Sequence, residues 1–193
     1  MARKVVKASP MKGADIDNIA LRIIEEYQPE ALERPQQFDI ERFFENALEK
    51  VAGVRPDYQS LGLPVHGYTD SDHKISVVDS ALADNPVQLN RFRATVAHEV
   101  GHAILHVGQF RKRKELLKFV HDCEDVSLRM YREDEIPAYM NPEWQAWRFA
   151  KALLMPEKTF RVAYATGMNV HQLAATFGVS ADFARQRLRD LRL

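Results

Sequence analysis

Apolar residues repeat at helical spacing along much of the chain. From Asp15 to Tyr27 and from Asp39 to Val51 they recur every three or four residues, which predicts two amphipathic helices. Asp15 or Asp17 is a candidate N-cap for the first helix, and Gly53 is placed to end the second. Both helices are expected to serve in packing.

The pattern changes between Val54 and Ala83, where turn residues separate short apolar runs. This pattern predicts two or three antiparallel strands. The segment from Lys74 to Asp79 is the clearest of them, because β-branched residues favour strands. A small antiparallel sheet is therefore expected between helical segments.

A long helix is predicted from Val87 to Val107, since it contains no proline and Gly108 follows it as an end signal. Residues 109–140 form a polar stretch to which the pattern assigns no element. Asn141-Pro142 then opens a helix that runs to Met155 and is stopped by Pro156.

Two further helices are predicted at the end of the chain, from Asn169 to Phe177 and from Ser180 to Leu191. Gly178 separates them, and Ser180 is a good N-cap for the second. This layout is typical of a helix-turn-helix, and Arg185, Arg187 and Arg189 lie on its second helix. The arginines do not share one face, so packing or docking is favoured over direct reading of DNA.

Composition limits the class of protein. The chain has 193 residues, 46% of them hydrophobic, and its 27 basic and 27 acidic residues cancel. This length suits one domain with a small appendage, and zero net charge gives no overall attraction to nucleic acid or membranes. We expect a flexible lead-in at residues 1–14, a main α+β domain at 15–160 and a C-terminal helical arm at 161–193.

Cysteine content and hydropathy indicate where the protein works. The chain has one cysteine, Cys123, and neither a signal-peptide pattern at its start nor a run of about 20 apolar residues. A cytoplasmic location without membrane association is expected.

The strongest chemical motif lies in the predicted long helix, where residues 98–102 read H-E-x-x-H. Four residues turn a helix by about 400°, so His98 and His102 lie on one face, about 6 Å apart along the axis. Both can bind one metal ion, and Glu99 can take a proton from a metal-activated water. The alternative is an incidental pair of core histidines, but two histidines and a glutamate on an otherwise apolar helix would be costly without a ligand.

A catalytic zinc usually has three protein ligands, and the residues alone leave the third open. His106 lies about 12 Å from His98 along the helix axis, which is too far for both to bind one ion. The cluster His121 to Glu124 is rich in ligand types, although such polar segments are usually only solvated. Glu143 is another candidate, although an acid in a first helical turn more often complements the helix dipole.

Two segments resemble the ImmA/IrrE family of zinc metallopeptidases. Residues 93–106, RATVAHEVGHAILH, resemble the active helix of that family, and residues 143–156, from Glu143 to Met155-Pro156, resemble its second signature. The resemblance implies that Glu143 is the third zinc ligand and that the fold is a zincin-like α+β domain with a helix-turn-helix-like arm. It also implies cleavage of a partner repressor. Trp147 departs from the family, which often has Asn or Asp there.

The resulting hypothesis is a zinc endopeptidase with His98, His102 and Glu143 on the metal and Glu99 as the base, acting on a transcriptional repressor. The alternative is a regulatory or toxin–antitoxin protein with little catalysis that binds a repressor or DNA. Manganese is an alternative metal.

Details around the site are less determined by the sequence. The strand Lys74 to Asp79 is our candidate edge for binding a substrate peptide as an added strand, with a purely structural role as the alternative. His121, Tyr131 and Tyr139 are candidate helpers for the oxyanion. Cys123 could occupy the fourth metal position and keep the enzyme silent.

Overall fold

The computed structural model describes residues 4–62 and 64–193. It is a mixed α+β fold, mostly helical, with two small sheets. The helices are α1 Gly13–Tyr27, α2 Ile40–Asn46, α3 Leu48–Ala52, α4 Ser80–Ala83, α5 Leu89–His102, α6 Gly108–His121, α7 Pro142–Leu154, α8 Glu157–Ala165, α9 Val170–Phe177 and α10 Ala181–Leu191. The strands are β1 Lys4–Val6, β2 Arg55–Gln59, β3 Gly67–Asp70, β4 Ile75–Asp79 and β5 Met130–Arg132.

The core lies between α5, α7 and α1. Along α5 and α7, residues such as Val96, Val100, Phe149 and Leu153 are fully buried. A Cβ on Gly101 would come within 3.1 Å of the backbone of Ala146, so this glycine lets the two helices approach closely. Close packing of α5 on α7 is what brings their functional side chains together.

The three-stranded sheet has the order β2-β4-β3 and is mixed. Strand β4 pairs parallel with β2 and antiparallel with β3, so the prediction of an antiparallel sheet was only half right. The prediction that Lys74 to Asp79 forms the edge was wrong, because β4 is the central strand. Its buried run of Ser76, Val77, Val78 and Asp79 is typical of a strand covered on both faces. The edge beside α5 is β3.

The helix predicted to stop at Gly108 continues past it. Residues 103–107 form a π-helical segment, and Gly108, with φ −61° and ψ −43°, begins α6, which runs to His121. A single glycine costs a helix only about 1 kcal/mol, so the stop signal at Gly108 was overridden. The first part of the stretch that we left without an element is therefore helical.

The flexible lead-in expected for residues 1–14 is wrong for its described part. Strand β1 pairs with β5, and Val5 and Ala8 are buried. Residues 1–3 of that expectation lie outside the described residues. Helix α1 begins at Gly13, and Asp15 accepts a hydrogen bond from the backbone N–H of Lys12 rather than serving as the N-cap.

The end of the chain follows the sequence prediction. Asn169 caps α9, Gly178 adopts a left-handed conformation with φ 63°, and Ser180 caps α10. Helix α8, between α7 and α9, had no counterpart in the sequence analysis. Within the described ranges, no helix is both long and apolar enough to cross a membrane.

Candidate metal centre

Helices α5 and α7 bring His98, His102 and Glu143 to one point. The Nε2 atoms of the two histidines lie 3.0 Å apart. His98 Nε2 is 3.4 Å from Glu143 Oε2, and His102 Nε2 is 3.5 Å from Glu143 Oε1. Asn141 caps α7 and accepts hydrogen bonds from the N–H groups of Glu143 and Trp144, which places Glu143 in the first turn.

The donor set fits a divalent metal ion. One ligand atom from each of the three residues lies within 4.8 Å of the others. Two imidazole nitrogens and a carboxylate oxygen, with room for water, are the ligands of many catalytic zinc sites. Burial alone would raise the pKa of Glu143, but its hydrogen bonds with His102 and His98 outweigh burial and hold that pKa below its ordinary value. The carboxylate is therefore ionised and ready to bind a cation.

A chain of hydrogen bonds behind the centre fixes which nitrogen of His102 is available. The Gln145 amide donates to the carbonyls of Ser9 and Tyr139, so its Oε1 must accept. His106 Nε2 lies 2.9 Å from that oxygen and donates to it.

His106 is neutral in this setting. Burial, followed by the charge of neighbouring His102, lowers the pKa of His106 to about 3. Its Nδ1 therefore accepts, and His102 Nδ1, 3.0 Å away, must carry the proton. With Nδ1 turned to His106, His102 presents Nε2 to His98 and Glu143, and Nε2 is the nitrogen that a metal ion would bind.

Strand β3 positions Glu99. The Thr69 hydroxyl lies 2.8 Å from Glu99 Oε2 and can donate to it. A Cβ on Gly67 would lie 3.0 Å from both Cγ and Oε1 of Glu99, so glycine is what lets the strand approach this side chain. The carboxylate is thus held between the edge strand and the candidate metal centre.

A cleft of about 520 Å³ opens beside these residues. It is lined by residues of the β3 edge and of α5 and α7: Pro64, Val65, His66, Gly67, Arg91, Ala94, Thr95, His98, Glu99, Glu143 and Trp147. The Trp147 ring packs against His98 at a centroid distance of 4.0 Å, with the two planes tilted by 31°, and Phe183 of α10 packs edge-on against Trp147. Helix α10 therefore reaches the wall of the site through Phe183.

Other candidate residues lie elsewhere. Cys123 is exposed after the end of α6, and its Sγ contacts the carbonyl of Asp125. Over the described ranges, neither Cys123 nor the neighbouring His121 joins the group that could hold a metal. Tyr131 faces Lys7 and Arg129, and neither it nor Tyr139 lines the cleft.

Sequence reasoning missed three residues of this site. Thr69 and Gly67 lie in β3, and no local sequence pattern shows that this strand packs against Glu99 of α5. Gln145 lies two positions after Glu143, so the sequence places it near the candidate ligand. Its hydrogen bond to His106 could not be predicted without the fold, because the two residues lie on different helices.

The fold and the cluster define an α+β protein with a candidate metal centre at a helix–helix contact. The chain belongs to the peptidase family of the IrrE N-terminal-like domain, whose sequence model matches residues 81–189 and so spans both α5 and α7.

The fold is also similar to that of a solved structure. A solved structure described as a Mycobacterium tuberculosis transcriptional regulator is similar in fold, with a TM-score of 0.59 and 17% identity. The match covers 91% of this chain but 46% of that one, so this chain spans about half of that protein. A search of curated proteins gave no significant match.

Proposed function

We propose that this protein is a zinc-dependent endopeptidase that cleaves a partner protein, a transcriptional repressor in our favoured version. The observation that carries the proposal is the convergence of His98, His102 and Glu143 beside Glu99. Membership of a peptidase family supports the reaction class.

The roles of the residues follow from their chemistry. Zinc held by His98, His102 and Glu143 would supply a Lewis acid for the scissile carbonyl and would make water acidic enough to lose a proton near neutral pH. Glu99 accepts that proton and passes it to the leaving amine. Thr69 keeps one Glu99 oxygen fixed.

The substrate would bind as an extended chain along β3, the sheet edge beside α5. Backbone hydrogen bonds to an edge strand hold a peptide largely irrespective of its sequence. Strand β3 meets this need better than the central β4, because β3 is paired on one side within the described sheet and borders the cleft.

A repressor partner agrees with the transcriptional regulator that shares the fold, although that likeness concerns the fold alone. Direct DNA reading by the C-terminal arm is less favoured, because Arg187, one of three arginines on α10, is 1% exposed and bonded to the carbonyl of Met155. The alternative function is a regulator that binds a repressor or DNA without cleaving.

The test is incubation of the zinc-loaded protein with the helix-turn-helix repressor encoded nearest to it, followed by mass spectrometry of the products. Glu99→Gln should reduce cleavage by about 10²–10⁴-fold, because it removes the proton acceptor but keeps the shape. Glu115→Gln, at an exposed position of α6, is the matched control and should cleave normally.

The zinc content of the purified protein is a further test of the peptidase against the regulator that does not cleave. We expect about one zinc per chain, lost in His98→Ala. Equal cleavage by wild type and Glu99→Gln would overturn the peptidase proposal. So would tight DNA binding by a zinc-loaded protein that cleaves neither the repressor nor unrelated peptides.

A further inference from the structure

Arg91 lies in the same cleft as the candidate metal centre, at its far end. It precedes His98 by seven residues on α5, which corresponds to about 10 Å along the helix axis. Both side chains line the cleft of about 520 Å³. Because an extended peptide advances about 3.3 Å per residue, Arg91 is about three residues of bound substrate away from the reacting bond.

The guanidinium of Arg91 is anchored on one side. Its Nη2 lies 2.6 Å from His66 Nε2. An arginine can only donate, so His66 Nε2 accepts and its proton resides on Nδ1. His66 therefore holds one guanidinium nitrogen of Arg91 just before β3, and this bond does not involve Nη1 or Nε.

Arg91 is an exposed residue, and the nitrogen of His66 to which it bonds carries no negative charge. Arg93, two residues later, shows the contrast: it is buried, donates to the carbonyls of Gly178 and Phe38, and has Glu41 at 3.6 Å. Arg93 is a scaffold residue, whereas Arg91 is an exposed cation in a binding cleft.

Uncharged residues share the cleft with Arg91: Pro64 and Val65 directly precede His66, and Ala94 lies one turn after Arg91 on α5. The carboxylates of Glu99 and Glu143 line the same cleft. The course of β3 connects the two ends, because His66 directly precedes the strand and Thr69 within it bonds to Glu99. A peptide paired with β3 would thus run from the metal centre to Arg91.

We propose that Arg91, held by His66, forms a subsite that binds a carboxylate of the substrate about three residues from the scissile bond. The proposal rests on the proposed peptidase function and names its substrate class. The carboxylate belongs to an Asp or Glu side chain or to the C-terminus of the substrate, and both accept a two-pronged hydrogen bond from arginine.

The test uses a chymotryptic digest of a bacterial proteome as a peptide library, so that Asp, Glu, Lys and Arg all occur inside the peptides, with the zinc-loaded protein and product identification by mass spectrometry. For the wild type, Asp and Glu should be enriched several-fold at one position two to four residues from the cut. Arg91→Ala should abolish this enrichment, and Arg91→Glu should replace it with Lys and Arg. Arg55→Ala, an exposed arginine on β2, is the control and should keep the wild-type pattern.

A matched peptide pair supplies the quantitative arm. For a cleaved library peptide, replacing the selected Asp by Asn should lower kcat/KM about tenfold for wild type, and Arg91→Ala should cleave both peptides equally. If the C-terminus is the ligand instead, cuts fall at a fixed distance from it and amidation lowers kcat/KM similarly.

The outcomes distinguish failure of the Arg91 subsite from failure of the peptidase function. Cleavage that depends on Glu99 but shows no carboxylate preference, or a preference unchanged in Arg91→Ala, overturns the subsite and leaves the peptidase intact. Absence of any Glu99-dependent cleavage overturns the peptidase function, and the subsite with it.

Discussion

Helix α7 takes part in two largely buried polar clusters that differ in composition and in how their charges are arranged. The candidate metal centre joins Glu143, near its start, to His98 and His102. The second, which we call the arm cluster, is formed by Asp17, Arg148, Lys151, Arg187 and Asp190.

In the arm cluster each charge meets an opposite one. Arg148 lies 2.5 Å from Asp17 and 3.5 Å from Asp190. Lys151 is 2.6 Å from Asp190, and Arg187 is 3.5 Å from Asp17. These ion pairs join α1, α7 and α10, and within the cluster each positive side chain lies beside a negative one.

The candidate metal centre is built differently. A hydrogen-bond relay from Gln145 through His106 orients His102 so that its Nε2 atom faces His98 and Glu143. Electron-rich atoms that converge in a buried place are stabilised by a cation. The comparison teaches that a polar cluster signals a metal site when its possible ligand atoms converge on one point, whereas the arm cluster pairs its charges one by one.

The largest effect is expected in the arm cluster. Asp17→Ala removes the carboxylate that faces the buried Arg187 and leaves Arg148 with Asp190 alone, and breaking a buried pair in this way costs about 3–5 kcal/mol of unfolding free energy. Urea unfolding monitored by circular dichroism measures this loss. Zinc stoichiometry should stay at that of the wild type, because Asp17 is not part of the metal group.

Asp182→Ala is the control for this experiment. Asp182 also pairs with an arginine, Arg185, but its side chain is 84% exposed, so the change should stay within about 1 kcal/mol. Equal stability losses in the two variants would mean that the arm cluster is no more than a set of surface ion pairs.

A smaller effect is expected behind the metal centre. His106→Phe keeps a ring beside Phe110, on which His106 stacks at 5.8 Å, but removes the acceptor that fixes the His102 tautomer. Loss of such an outer partner weakens metal affinity about 10–100-fold. Zinc competition with a chromophoric chelator measures the Kd.

His121→Phe, an exposed histidine at the end of α6, is the matched control and should bind zinc as the wild type does. An unchanged zinc Kd in His106→Phe would mean that the hydrogen bonds from Gln145 through His106 to His102 do not contribute to metal binding.

The sequence was informative where one element carried the signal. Two histidines four residues apart needed only the helix, and the caps at Asn141, Ser180 and Gly178 needed only neighbouring residues. The third member of the cluster, Glu143, could be chosen only through resemblance to a family, because local patterns equally suit a residue that complements the helix dipole.

Errors arose where distant contacts outweighed local preference. Gly108 reads as a stop, yet its backbone continues a helix, and the side chains of Arg111 and Lys114 fasten that helix to Ser71 and Asp72. The β-branched run of β4 marks a strand but not its place in the sheet, since burial on both faces depends on what covers it. No periodicity shows that Thr69 contacts Glu99.

The smallest effect is the pH dependence of stability that His106, beside the candidate metal centre, contributes. His106 has its pKa lowered to about 3 by burial and by His102, whereas an unfolded histidine has its ordinary value of 6.5. Between these values the unfolded chain binds more protons, so stability is fully present above pH 6.5 and declines as the pH falls toward 3. In metal-free protein, the share of unfolding free energy lost through His106 between pH 6 and pH 5 should be about 1 kcal/mol.

Urea unfolding at the two pH values, in the presence of a chelator, measures this share as the difference between wild type and His106→Phe. The variant should show the shallower decline, because it has no imidazole to protonate at the buried position. His171→Gln, at an exposed position on α9, should follow the wild type. Parallel declines of unfolding free energy in wild type and His106→Phe would mean that His106 takes up a proton as easily in the folded chain as in the unfolded one. His106 would then not be neutral, and its Nδ1 could not accept a hydrogen bond from His102.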